Sequence, residues 1–152
     1  MKITYKSEYA LRALLDLAYV YNSKTVVPLV DICRRQHIPE KYLEQIMLNL
    51  KKAGIVESKR GIGGGFSLKK APQEVTLGHI IRLVDGAIEP TAGLSNESSA
   101  MKIKNENQRA FEEVWEQVTH AISDIIDAIT FADIMARANE LRSENAEFNY
   151  II

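Results

Sequence analysis

Between Lys41 and Lys52 the polar side chains Lys41, Tyr42, Glu44, Gln45, Asn49 and Lys52 have the spacing of one helix face, with Leu43, Ile46, Met47 and Leu50 left for the opposite, inward face. An α-helix fits the major groove of B-form DNA, and its N-terminal residues usually reach base edges. In that setting Gln45 pairs bidentately with adenine, Glu44 accepts from cytosine, and Lys41 reaches guanine or a phosphate. A second set follows: Lys59, Arg60, Lys69 and Lys70 bracket Gly61, Gly63, Gly64 and Gly65. Glycine lets a backbone approach a phosphate chain or enter the minor groove without side-chain clash. Arg60, at the base, has the reach to enter that groove or to pair a phosphate. Taken alone, each set also fits an ordinary solvated surface.

Other chemistry fits less well. The glycine run does not complete a Gly-x-Gly-x-x-Gly fingerprint, because Phe66 occupies its last position, and it lacks the Lys-Ser/Thr ending of a phosphate loop. It also precedes a strand, where a dinucleotide site needs a helix. His37, His79 and His120 lie far apart, and no pair has metal-ligand spacing. The single cysteine, Cys33, excludes an intrachain disulfide and any cysteine-only cage within one chain. It follows Ile32 on an inward face and reads as a small buried hydrophobe. A redox switch would need exposure and a lowered pKa, for which only Arg34 and Arg35 nearby argue. No paired carboxylates, Ser/His/Asp set or Cys/His pair stands at recognisable spacing, so no enzyme is expected.

The elements that must position these side chains can be read along the chain. A first helix is expected from Ser7, as N-cap, to about Tyr21, with Tyr9, Leu11, Leu14, Leu15, Leu17 and Ala18 as its apolar stripe. Val26-Val27 reads as a short strand. Pro28 opens a second helix through Gln36, and Glu40 a third through Ala53, with Gly54 at the left-handed C′ position. Two helices joined by a few residues form a helix-turn-helix. Ile55–Lys59 and Phe66–Lys69 read as strands around the glycine turn, so a winged helix is predicted. Thr76 caps a fourth helix to Asp85, and Gly86 stops it. A long helix runs from about Glu106 to Ile129, and Thr130 caps a last one from Phe131 to about Leu141. The fold class is thus mostly α with a small β-wing: a winged helix-turn-helix DNA-binding domain over residues 1–86, a loop over 87–105, a dimerisation helix and terminal helix over 106–141, and a loose C-terminal tail over 142–152.

In the long helix Phe111, Trp115, Val118, Ile122, Ile125 and Ile129 step by 4, 3, 4, 3 and 4, an unbroken heptad seam widened by Val114, Ala121 and Ile126. Such a seam packs on its own chain or on a second copy. The two-fold operators common to winged helices favour a homodimer. Charge agrees with a polyanion partner. Residues 1–75 hold 13 Lys+Arg against 7 Asp+Glu, giving +6; residues 76–152 hold 6 against 13, giving −7, and the sum is the net −1. No run of 18 apolar residues spans a membrane, and the N-terminus has no signal-peptide pattern, so a cytoplasmic location is expected.

Three segments resemble a known signature: Tyr42-Leu43-Glu44-Gln45-Ile46, Leu50-Lys51-Lys52-Ala53-Gly54-Ile55-Val56, and Arg60-Gly61-Ile62-Gly63-Gly64-Gly65-Phe66. They are similar to those of the Rrf2 (Rrf-two) family of winged-helix transcriptional regulators. The likeness covers residues 1–90 closely, and the later helices match in layout. It implies a dimeric regulator, most simply a repressor, whose third helices and wings grip a palindromic promoter site. By the same likeness, Lys41, Tyr42, Glu44, Gln45 and Arg60 stand where family members contact DNA. Cluster-binding members carry three cysteines in the loop after the fourth helix; here that loop has none. Glu8 stands where some members supply an N-terminal ligand, but Arg12 follows one turn on. No iron–sulfur cluster, other cofactor or metal is therefore expected.

The ending Tyr150-Ile151-Ile152 resembles the isoleucine tails of cysteine-metabolism regulators in the family and of serine acetyltransferases, which insert into cysteine synthase. A free carboxylate beside a branched apolar side chain mimics an amino acid. Cysteine synthase is therefore a candidate partner, and cysteine or sulfur metabolism a candidate target. The alternatives are a protein-interaction module acting through this tail, or a regulator answering another redox or metabolite signal.

Overall fold

The computed structural model describes residues 3–87 and 105–149, with the backbone alone for 146–149. Helix α1 (Tyr5–Ala18) lies at the centre of the N-terminal body. Its Ala10, Ala13, Leu14 and Leu17 are fully buried. It packs against α2 (Leu29–Gln36), α3 (Glu40–Lys52), α4 (Leu77–Asp85), α6 (Phe131–Asn149) and the second strand of a hairpin, β1 (Val56–Lys59) and β2 (Gly65–Leu68). Ile32, Leu43, Met47, Leu50, Ile55, Val56, Val75 and Ile80 complete the core. Helix α5 (Glu106–Ala128) packs on α4, and none of its residues is buried. No helix among the described residues is long and apolar enough to cross a membrane.

Several sequence expectations hold closely. Thr76 caps α4 through its hydroxyl, which accepts from the His79 N–H at 3.2 Å. Gly86 ends that helix at a positive φ, +87°, which favours glycine. Gly54, φ +73°, ends α3 in the same way. Thr130 and Asp133 cap α6 reciprocally: the Asp133 N–H donates to Thr130 Oγ1 at 3.2 Å, and the Thr130 N–H to Asp133 Oδ2 at 2.8 Å.

Other expectations are corrected. Ser7 is not the N-cap of α1; it is fully buried inside the first turn. Thr4 caps instead, its hydroxyl accepting from the Lys6 N–H at 3.2 Å. Thr4 is itself held by Asp85, at the end of α4, through Oγ1–H···Oδ1 at 2.5 Å and N–H···Oδ2 at 3.0 Å. Burial pushes the Asp85 carboxyl upward, but the two bonds from Thr4, with help from Ser7 and Lys6, outweigh it and leave the carboxyl below its ordinary range. Helix α1 stops at Ala18 rather than Tyr21, and a single 3₁₀ turn, Tyr21–Ser23, leads to left-handed Lys24. Val26-Val27 forms no strand; Val27 makes one bridge to Phe66, each N–H donating to the other's carbonyl at 2.8 Å. The tail expected from Arg142 is helical as far as Asn149. Arg137 pairs with Glu140 and Glu144 at 3.0 and 3.4 Å along it, and Arg142 lies 4.8 Å over the ring of Tyr19. Phe131, in the C-terminal segment of the sequence, is the largest fully buried side chain among the described residues, so the first turn of α6 belongs to the N-terminal core.

The hairpin pairs Val56 with Leu68 and Lys59 with Gly65. A Cβ at Gly65 would stand 2.2 Å from the Val27 carbonyl oxygen, so only glycine allows the Val27–Phe66 bridge that pins the hairpin to the body.

Two consequences can be measured. Thr4→Ala removes the cap hydroxyl and one bond to Asp85, and is expected to lower stability by about 1–2 kcal/mol at neutral pH. The folded Asp85 carboxyl is held below its unfolded value, so this stabilisation is complete above roughly pH 4 and is lost as pH falls through the lowered folded value. Urea unfolding should therefore separate wild type from Thr4→Ala less at about pH 3 than at neutral pH. Gly65→Ala should cost about 2 kcal/mol by breaking two backbone hydrogen bonds. At Gly61, φ +91°, an added Cβ meets nothing within 4 Å, so Gly61→Ala should cost only the strain of a left-handed residue, about 1 kcal/mol.

Candidate nucleic-acid interface

Helix α3 buries Leu43, Ile46, Met47 and Leu50 because those positions recur every three or four residues. The geometry leaves Lys41, Tyr42, Glu44, Gln45, Asn49 and Lys52 together on its exposed face, as the sequence predicts. The turn before it is built by His37 in the left-handed region, φ +52°, and by buried Ile38, whose N–H donates to the Cys33 carbonyl at 3.0 Å. Helices α2 and α3 thus pack against each other at a fixed angle. Arg35 of α2 grips Asp16 of α1 through Nε and Nη2 at 3.1 and 2.6 Å.

The hairpin stands beside α3. Helix α3 packs on β1, and Lys51 Nζ donates to Ser58 Oγ at 2.5 Å. At the tip the Gly64 N–H donates to the Gly61 carbonyl at 2.9 Å. Gly63 sits at φ +74°, and a Cβ at Gly64 would stand 2.5 Å from the Lys59 carbonyl. Lys59, Arg60 and Gly63 are exposed, and Gly64 is half-buried against its own turn. Two features escaped the sequence reading. Lys51, outside the predicted contact set, ties the helix to the strand. Ile62 is fully exposed at the tip, as an isoleucine isolated among turn glycines must be.

Charge pairing distinguishes the cations of this face from most of the arginines. Arg12, Arg34, Arg35, Arg82 and Arg137 are paired with Glu8, Asp31, Asp16, Asp127 and Glu140. Lys41, Lys52, Lys59, Arg60, Lys69 and Lys70 are exposed and have no ion pair among the described residues. A polyanion can therefore approach them without breaking an existing bridge, and its counterions are released at little cost.

The seam of α5 is divided. Phe111, Trp115, Val118 and Ile125 are exposed, Phe111 at 65% and Ile125 at 62%, together with Val114. Ile122 and Ile129 are half-buried, where α5 meets α4.

The residues present do not fit a cysteine-ligated iron–sulfur cluster. The chain has one cysteine. Cys33 lies half-buried on α2, and burial, with the nearby charge of Glu40, pushes its thiol above the ordinary value, which disfavours the thiolate. Glu8 pairs with Arg12 at 3.4 Å. Among the described residues no three His, Cys, Asp or Glu side chains gather. His37, His79 and His120 are exposed on three different elements. Most of the 87–105 loop and the terminal Tyr150, Ile151 and Ile152 lie outside the described residues.

Comparison with known proteins agrees with this architecture. Residues 3–137 match the family model described as Rrf2, Iron-dependent Transcriptional regulator. The HTH-type transcriptional regulator IscR of Aliivibrio salmonicida is 36% identical over 135 residues, covering 89% of this chain and 77% of IscR. The structure of CymR, the global cysteine regulator of B. subtilis, superimposes with a TM-score of 0.75 at 29% identity, over 90% of this chain and 98% of CymR. IscR of T. potens gives 0.74 at 33% identity, over 93% and 90%. With a helix-turn-helix, a glycine-tipped wing and the matched length in place, the chain belongs to the Rrf2 family of winged-helix, DNA-binding transcriptional regulators, which are not enzymes.

Proposed function

We propose that two copies of this chain pair through α5 and repress transcription by binding a two-fold promoter site in the cytoplasm. The observation that carries this reading is a 23-residue helix with an apolar stripe and no buried residue. Exposed apolar patches of this kind mark an interface, and a heptad stripe is satisfied by a second helix of the same kind. Each protomer then presents α3 to the major groove, with Gln45, Glu44 and Lys41 at base edges and Tyr42, Asn49 and Lys52 alongside. The wing sets Lys59, Arg60 and the Gly63-Gly64 backbone against phosphates or the minor groove. In this reading regulation needs no iron–sulfur cluster, since the chain has a single cysteine, and no other cofactor. An iron and acid-labile sulfide assay on anaerobically purified protein tests that point.

The likeness to CymR, a global cysteine regulator, supports cysteine or sulfur metabolism as the regulated process, and the isoleucine ending Tyr150-Ile151-Ile152 supports cysteine synthase as a partner. Pull-down with cysteine synthase, with and without deletion of Ile151-Ile152, decides it; equal capture in both arms removes the tail from the interaction.

Three measurements test the main reading. Val118→Asp places an unpaired charge in the seam and should weaken pairing by about 3 kcal/mol or more, giving monomers in light scattering; a mutant that stays dimeric moves the interface elsewhere. Arg60→Ala should lower the slope of log affinity against log salt by roughly 0.9 if one phosphate contact is lost. Gln45→Ala should cost about 1–3 kcal/mol at a single base position and relax the preference there. Wild-type protein that binds no duplex at low salt overturns the proposal.

A further inference from the structure

Helix α5 is attached to the DNA-reading body at one end. There the segment Val75–Leu77 runs antiparallel to Ile129–Phe131: the Leu77 N–H donates to the Ile129 carbonyl at 2.9 Å and the Phe131 N–H to the Val75 carbonyl at 3.0 Å. Beside this joint Arg82, just over a turn into α4, grips Asp127, in the last turn of α5, with both Nη atoms, at 2.6 and 2.8 Å. Gly78 makes room for this meeting. A Cβ there would stand 2.1 Å from Asp127 Oδ1, and 2.9 Å from both Arg82 Nη1 and Ile126 Cγ1.

The ion pair is 35% and 46% exposed, so it adds little to stability. What it supplies is direction. Two backbone hydrogen bonds fix where α5 joins the body, and apolar packing of its last turns on α4, which is not directional, sets its angle only loosely. A planar guanidinium–carboxylate fork beside the joint fixes the tilt, because its two bonds must stay parallel. The lever is long: 23 residues at 1.5 Å each give about 35 Å. A tilt of about 10° then moves the far end by roughly 6 Å, more than the rise of one base pair, about 3.4 Å.

We propose that the Arg82–Asp127 fork over Gly78 sets the angle between the DNA-reading body and the pairing helix, and with it the half-site spacing the dimer accepts. Arg82, Asp127 and Gly78 are positioning residues and touch no base. This inference rests on the dimeric reading above.

The test uses full-length protein and duplexes carrying two half-sites, selected for wild type from a random pool, at the optimal spacing and at one or two base pairs more or less. A duplex with one half-site is the control. Arg82→Ala, Asp127→Asn and Gly78→Ala are compared with the swapped pair, Arg82→Asp with Asp127→Arg. The single variants are expected to remain dimeric in light scattering and to bind the one-half-site duplex as wild type does. They should lose about tenfold affinity at the optimal spacing, where both half-sites must be engaged at once, and their spacing profile should flatten. The swapped pair should restore the peak. An unchanged peak in Arg82→Ala and Asp127→Asn overturns the proposal. Equal losses on one-half-site and two-half-site duplexes also overturn it, since they indicate a general structural role. A wild-type dimer with no spacing preference overturns this inference alone, whereas wild-type protein that is monomeric overturns the dimeric reading beneath it.

Discussion

Removal of one face of α1 from water is the constraint on which the N-terminal body depends. Ala10, Ala13, Leu14 and Leu17 have no exposure, and α1 touches α2, α3, α4, α6 and the wing strand. Each fully buried leucine is worth about 1.5–3 kcal/mol of transfer free energy. Covering this face requires Leu43, Met47 and Leu50 from α3, and Leu68 from the wing. Once those side chains point inward, the helical and strand periods force Gln45, Lys41 and Lys59 outward. The polar outer face of α3 is thus a by-product of how the core is filled, and it is rigid for the same reason.

Features governed by local rules were legible in the sequence. The inward positions of α3, the glycine turn, the Thr76 and Thr130 caps and the Gly54 and Gly86 stops all follow from spacing or from one residue's conformational freedom. The features that were not legible depend on distant partners. Ser7 has the chemistry of a cap, yet Thr4 takes the role because Asp85, 81 residues away, holds it there. Phe131 enters the core because the chain returns beside Val75 after the whole length of α5. The end of α6 lacks an apolar repeat, and what sustains its helix is a charge ladder and a stacking contact of Arg142 on Tyr19. The exposed face of α3 follows from the spacing of its side chains. Its bracing, through Lys51 and Ser58, does not, because a surface lysine carries no sign of what it will touch.

The two cationic residue types are used differently. Arginines bind body to body: Arg35 to Asp16 and Arg82 to Asp127, both by paired hydrogen bonds. The lysines of α3 and the wing, with Arg60, are left without ion pairs among the described residues. The guanidinium is a planar fork suited to holding a fixed geometry, whereas an ammonium is a mobile point charge that tolerates many positions of an anion. The cations of the chain are therefore divided between mortar and free charge, a division invisible in the net value.

Pinning the hairpin at Val27 has an entropic consequence. The ribbon is paired at four positions and clamped to the body at Phe66, close to its turn, so only residues 60–64 project beyond the support. Fixing a loose backbone residue costs about 1–2 kcal/mol. A cantilever whose stem is already ordered confines that cost to its last few residues, while its isoleucine point can still adjust to the contour it meets.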